Sequence, residues 1–416
     1  MEVSALAKRL TENRGIRSLM EDLGKVSGRT DVIRLGGGNP AHIPEAETIF
    51  EECFLKLSKS PKLKSLLGDY QSPIGNDSIR ELTAEYLSPY LNYTLAKNNI
   101  AFFNGSQNAF SYALNLYTGR MEDGKTSKIL LPLVPEYIGY ADQTIESNGF
   151  TAFPPLVQTT NQHRFLYKLN KTRLENADFG AILISNPTNP TGNVFSEEDL
   201  DYLQMVAKNR SLPFIIDLAY GAPFPALIGD AKPVHYKEGR ILSLSFSKVG
   251  LPGVRLGIIV SDSFTIERLT SFASMGNLAV GNLGIYLAEI FFREDSLVKL
   301  ANNTLRPYYE KKKLLALDLF ETAFQTHDID YEIHEPLGGF FIWIRFPSLR
   351  ISNQDLYEIC KRENLYFVSG HYFFPGLDEE FSHTRECIRL TYSAGEEELA
   401  NGARLLANIL AKYQAN

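Results

Sequence analysis

The chain has 416 residues, 44% apolar and 22% charged, with a net charge of −7. That length exceeds one small core and predicts two domains, while the interspersed, mildly acidic charge predicts no nucleic-acid partner. Three distant cysteines (Cys53, Cys360, Cys387) argue for a reducing compartment, and without an apolar leader core or a run near ~18 apolar residues the expectation is a cytoplasmic protein with no membrane contact.

Residues 1 to roughly 30 read as an amphipathic helix. Leu35 to Glu45 is a Gly/Pro-rich loop, in which Pro40 and Pro44 break any dinucleotide-binding pattern. Asp69 to Leu87 reads as a loop and then a helix capped by Asn76 or Asp77. Ile100 to Phe103 is a predicted strand, and Gly105 to Tyr117 the helix after it, with Gly105, Ser106 and Gln107 forming an anion-binding helix start. Lys128 to Leu133 is another strand, followed by the loop PEYIGYAD. Ala181 to Ser185 is a strand running into the rigid turn NPTNPTG, and Ser196 then opens a helix. Pro213 to Asp217 is a strand ending in a carboxylate, with Tyr220 three residues on. Ile241 to Leu244 and Leu256 to Val260 are short apolar runs flanking a polar loop that carries Ser245, Ser247, Lys248 and Arg255.

Strands alternating with helices from about 100 to 260 predict βαβ units and a mostly parallel, buried sheet, with ligands beyond the carboxyl ends of its strands. The pattern changes near 295. Ser296 to Phe324 reads as a helix interrupted at Pro307, Gly338 to Phe346, Leu365 to Ser369 and Cys387 to Thr391 as strands, and Glu396 to Tyr413 as a closing helix. The expected division is an N-terminal arm over 1–48, a large α/β domain over 49–295 and a smaller α+β domain over 296–416.

Seven scattered histidines, with neither H-E-x-x-H nor C-x-x-C, give no metal site. A G-x-S-x-G elbow and a phosphate-loop lysine motif are also missing. Taken singly, Asp217 reads as a strand-end cap, Asn189 as a turn residue, Arg389 as a structural ion pair and Lys248 as a solvated loop lysine. Taken together they supply what one phosphorylated carbonyl cofactor needs. Lysine is costly to bury unless its charge is lost or paired; a Schiff base is one chemical reason to do so, and Ser245, Ser247 and Arg255 then suit a phosphate.

The set GSQ (105–107), PEYIGY (135–140), NPTNPTG (186–192), DLAY (217–220), SFSKVGLPGVRLG (245–257) and the strand with Arg389 resembles fold-type I aminotransferases dependent on pyridoxal phosphate, in order and over nearly the whole chain. NPAHIPE (39–45), PEYIGYAD (135–142), KVGLPGVRLG (248–257) and GHYFFPGLD (370–378) look like the valine–pyruvate subgroup. The resemblance implies a three-layer α/β/α large domain with a mostly parallel sheet, plus the smaller domain. It implies Lys248 as the Schiff-base and proton-shuttling lysine, Asp217 at the pyridine nitrogen, and Asn189 and Tyr220 at the ring hydroxyl. Tyr137 would stack on the ring, and Gly105, Ser106, Gln107, Ser245, Ser247 and Arg255 would hold the phosphate. Tyr70 would reach the phosphate of a neighbouring subunit in a homodimer with shared sites. Arg389 would clamp the substrate carboxylate, with the Gly38 backbone over it and Phe373 in the pocket wall. The implied reaction exchanges an amino group between L-valine and pyruvate, the alternative being another neutral pair such as alanine with 2-oxoglutarate. The loop Met275 to Gly284 departs from the broad family pattern and leaves its dimer contacts open. A cofactor-sensing transcription regulator of the same fold would need a basic N-terminal domain, for which the expected pattern, beginning by Gly36, leaves no room.

Overall fold

Short, largely buried apolar runs set the centre of the molecule. They are β1 (Ile100–Phe103), β2 (Ile129–Leu131), β3 (Phe150–Ala152), β4 (Ala181–Ser185), β5 (Phe214–Asp217), β6 (Arg240–Ser245) and β7 (Gly257–Val260). In this computed structural model, which describes residues 2–11, 21–22, 24, 28–29, 31–175, 177–229 and 233–414, they form one sheet in the order β1-β7-β6-β5-β4-β2-β3. Every pair is parallel except those of β7, which runs antiparallel to both neighbours. Strands apolar on both faces need cover on both. Helix Ser106–Tyr117 packs on β6 and β7, and helix Glu197–Asn209 on β4 and β5.

The predicted helix starts follow local chemistry. Asn76 Oδ1 accepts the N–H groups of Ser78 and Ile79 and opens helix Asp77–Leu91, while Ser196 Oγ accepts that of Asp199. Pro44 departs from its predicted loop: its missing N–H is no loss in a first turn, and it begins helix Pro44–Ser58. The predicted break at Pro307 is a π-turn over Ala301–Leu305 leading into helix Arg306–Thr326. The predicted loop at 275–284 is shorter than expected, since helix Ser263–Asn277 ends in it and helix Asn282–Arg293 begins in it. Half of the predicted N-terminal helix lies outside the described residues; among those described, a helix spans Ala5–Thr11.

A second sheet contains β8 (Glu332–His334), β9 (Phe341–Arg345), β10 (Val368–Ser369) and β11 (Cys387–Thr391) in the order β10-β11-β9-β8. It is extended by hairpin Leu156–Asn161/Arg164–Lys168, whose second strand pairs with β8. Residues 156–168 thus share a sheet with strands from the far end of the chain. Near the N-terminus, Ile33–Arg34 pairs with Leu365–Tyr366, and Thr391 N–H donates to Leu35 O at 2.8 Å. This stitching brings Gly36 to Gly38 to the boundary between the two sheets.

Candidate active site

The carboxyl ends of the parallel strands bring the polar residues together. Asp217 closes β5 in register with Ser185 on β4 and Ser243 on β6. A cavity of about 140 Å³ at this edge is lined by Ser106, Gln107, Tyr137, Asn189, Asp217, Tyr220, Ser245, Ser247, Lys248 and Arg255, together with Phe110, Ser185 and Ala219. A larger cleft of about 820 Å³, bordered by Arg240, Lys313 and Glu335, contains none of the predicted residues and lies apart from this chemistry.

Lys248 follows β6 in a single turn, and its Nζ donates to Gly38 O at 2.7 Å. Burial, reinforced by the Arg389 charge and opposed by Asp217, pushes its amine down to about 8. Asp217 Oδ2 accepts Tyr140 Oη–H at 2.8 Å, and Oδ1 accepts Ala219 N–H at 3.0 Å. Burial still raises its carboxyl to about 6, with the Tyr140 bond the largest opposing effect. Both groups therefore change charge within about two units of neutrality, which suits proton transfer.

At the other end of the cavity the backbone is shaped for an anion. Gly105, at φ +88°, precedes helix Ser106–Tyr117; a Cβ there would lie 2.4 Å from Arg255 Nη2. Gly257 allows the same close approach, since its Cβ would meet Ser106 N at 2.6 Å. The first N–H groups of a helix carry partial positive charge and lack intrahelical partners. Arg255 adopts the left-handed region (φ +55°), a conformation that non-glycine residues hold at a cost, and it is exposed at the mouth. Among the described residues its guanidinium makes only long contacts, 3.3 Å to Asn104 O and 3.5 Å to Pro252 O, leaving its charge available.

Arg389 is buried on β11, donating to Asn189 Oδ1 at 2.8 Å and to Gly36 O at 2.7 Å. Its guanidinium lies 4.2 Å from the Phe341 ring centre and 5.2 Å from that of Phe373. Among the described residues its Nε has no hydrogen-bond partner. Desolvating an ion costs several kcal/mol, whereas a buried cation–π contact returns about 2, so two neutral oxygens and two rings leave the site short of an anion. Phe373 does not line the cavity; it is fully buried behind Arg389 and against Trp343. Tyr70 is also outside it, 85% exposed on the surface.

Two residues that sequence reading passed over belong to this site. Tyr140 stands behind Asp217, and Glu136 bonds Ser185 at the end of β4. Both lie within the quoted PEYIGY motif, but their partners Asp217 and Ser185 are remote in the chain.

A cavity lined by a depressed lysine, a strand-end aspartate and Arg255, with Arg389 bonded to its wall residue Asn189 and neither arginine paired with a carboxylate among the described residues, suits an enzyme that handles anionic substrates on a phosphorylated cofactor. The profile of the aminotransferase class I and II family matches residues 30–406, and the chain belongs to that family of pyridoxal-phosphate-dependent enzymes. It is 36% identical over 409 residues to the valine–pyruvate aminotransferase of Escherichia coli K12, covering 98% of this chain and 97% of that one. The solved valine–pyruvate aminotransferase of Salmonella typhimurium superposes with a TM-score of 0.87 at 34% identity, over 95% of this chain and 98% of its own. A solved chain from Psychrobacter arcticum superposes with a TM-score of 0.95 at 35% identity, over 99% of both chains.

Proposed function

We propose that this aminotransferase exchanges an amino group between L-valine and pyruvate, giving 3-methyl-2-oxobutanoate and L-alanine. The observation that carries the reading is charge. Lys248 and Arg255 line one cavity with Asp217 as the facing anion, and Arg389 stands behind its wall, bonded to the lining residue Asn189; this excess of positive charge suits a cofactor phosphate at one end and a substrate carboxylate at the other. The orphaned Arg389 Nε and the weakly held Arg255 guanidinium fit those two groups. Similarity to the two valine–pyruvate enzymes supports the choice of substrates.

Bound in this cavity, pyridoxal phosphate supplies a carbonyl for amine exchange and a ring that accepts electrons from the substrate carbon. Ser106, Gln107, Ser245, Ser247 and Arg255 would hold its phosphate, with Gly105 giving the helix start its close approach. Asp217 would face the ring nitrogen and favour its protonated form, Asn189 and Tyr220 would orient the ring hydroxyl, and Tyr137 would offer an aromatic face to the ring. Lys248 would be the amine that holds the cofactor's carbonyl group, and its depressed Nζ would also suit it to move the proton at the substrate carbon. Arg389 orients the substrate carboxylate, with the Gly38 backbone beside it and Phe373 bracing the guanidinium from behind.

An exposed apolar surface supports a homodimer with shared sites. Leu67, Tyr70, Met275 and Leu278 are 63–86% exposed, and Asn282 Nδ2 ties the two segments together by donating to Leu66 O and Asp69 O. Tyr70 then belongs to the neighbouring subunit's phosphate site. Among the described residues no helix is long and apolar enough to cross a membrane. We place the enzyme in the cytoplasm, in alanine formation, with an arm over 1–48 and domains over 49–295 and 296–416.

The test is the visible spectrum of the holoenzyme during single turnovers with valine, alanine, glutamate and aspartate. Valine and alanine discharge the cofactor fastest on this reading. Discharge by glutamate roughly tenfold faster than by valine, a difference of about 1.4 kcal/mol, would favour another amino donor.

A further inference from the structure

Behind the cavity wall lies a second carboxyl that the proposed reaction does not use. Glu136 is 0% exposed. Its Oε1 accepts Ser185 N–H at 2.7 Å, while Oε2 accepts Tyr137 N–H at 3.0 Å and lies 2.6 Å from Ser185 Oγ. Its own N–H donates to Phe373 O at 2.8 Å. Among the described residues no lysine or arginine touches it. A buried carboxylate with no counter-ion costs several kcal/mol, and keeping the proton removes that cost. The contacts accommodate the proton: each carboxyl oxygen accepts one backbone N–H, and Oε2 can also donate to Ser185 Oγ.

We infer that Glu136 is a positioning residue that works as a neutral carboxylic acid, holding the loop of Tyr137 and Tyr140 against the end of β4 and leaving Asp217 the single anion beside the cofactor. This rests on the proposed cofactor placement. By accepting the Glu136 proton, Ser185 Oγ frees its own proton to donate into the cavity that Ser185 lines. The loop is fixed at both ends of its turn, because Tyr140 N–H donates to Tyr137 O at 3.1 Å and Tyr140 Oη–H to Asp217. A charged Glu136 would place a second anion beside Asp217 and weaken the distinction between them.

The surrounding charges agree. Burial raises the Glu136 carboxyl from its ordinary 4.5 to about 8, with the bonds from Ser185 and Tyr137 opposing and the Asp217 charge adding. The titratable groups facing this corner are Tyr137 and Tyr140 on its own loop and Asp217 on β5; Lys248 acts on Asp217, and Arg389 on Tyr137. Since the folded state binds this proton more tightly than the unfolded chain, the neutral form persists until the pH rises through about 8.

Infrared spectroscopy of the holoenzyme tests the inference, because a protonated carboxyl has a carbonyl stretch that a carboxylate lacks. At neutral pH the wild type shows this band, and it is lost with a midpoint near pH 8. Glu136→Gln abolishes it. Ser185→Ala keeps the band but shifts it, the acid having lost its acceptor, so the test survives a poorly folding Gln variant. A band that is unchanged in Glu136→Gln, or absent from the wild type, overturns the inference. A protein with no cofactor absorbance overturns the functional reading instead, and the carbonyl band reports on Glu136 in either case.

Discussion

Three side chains, Lys248 and Asp217 in the cavity and Arg389 behind its wall, divide the chemical work by their surroundings. Lys248 loses its proton more readily than a free lysine because water is replaced by protein and Arg389 adds a like charge. Lys248→Ala is expected to abolish the visible cofactor band and lower turnover by at least about 10²–10⁴-fold with folding retained, as measured by absorbance, assay and circular dichroism. Arg389→Lys keeps the charge but loses the planar fork, and a charge-assisted hydrogen bond is worth roughly 1.5–3 kcal/mol. The KM for amino and oxo acids should therefore rise about ten- to hundredfold while cofactor affinity holds. Asp217 gives a pH dependence. Its carboxyl, at about 6 in the folded protein against an ordinary 3.8, binds its proton more tightly when folded. Its contribution to folding stability is thus greatest below 3.8 and is lost as pH rises to about 6. A cofactor that requires the anion must expel that proton, so its Kd should rise by up to about tenfold per pH unit below 6, read by equilibrium absorbance titration.

Elements decide how closely these residues approach. Helix Ser106–Tyr117 meets Arg255 only because Gly105 has no side chain, at a φ that an alanine would hold with strain. Gly105→Ala is expected to cost about 1–3 kcal/mol of stability and to displace Arg255, weakening cofactor binding more than substrate KM. Urea titration and cofactor titration separate the two effects. At this scale the sequence was informative where chemistry is local. Apolar runs ending in polar residues marked β4, β5 and β6, and Asn76 and Ser196 marked their helices through bonds to residues two or three positions away. It was silent where partners are remote. Tyr140 meets Asp217 across 77 positions and Glu136 meets Ser185 across 49, and no pattern within a motif announces such a bond. The hairpin at 156–168 was missed for the same reason, since its partner β8 lies in the last third of the chain.

For the whole molecule, surface apolarity is the guide to assembly. Leu67, Met275 and Leu278 gain nothing from exposure, and burying such side chains is worth about 1.5–3 kcal/mol each. Met275→Glu combined with Leu278→Glu should convert a dimer to monomers in sedimentation velocity. If Tyr70 completes the partner's phosphate site, cofactor affinity falls with dissociation, and Tyr70→Phe lowers it while the dimer stays intact. The apolar segments were visible in the sequence, but the continuity of 66–70 with 275–283 depends on the Asn282 bridge between them.

The segment from Gly36 to Gly38 is held at both ends by charges that the proposed cofactor and substrate would engage, Lys248 by the first and Arg389 by the second. Gly36 O accepts from Arg389 and Gly38 O from Lys248. These carbonyls are placeholders: each occupies a donor that a guest claims in turn. Ligand entry then becomes an exchange in which the segment is released from one anchor as each guest arrives. Amide hydrogen exchange around residues 36–38 would accordingly accelerate on cofactor loading, and the loop would act as a local reporter of occupancy.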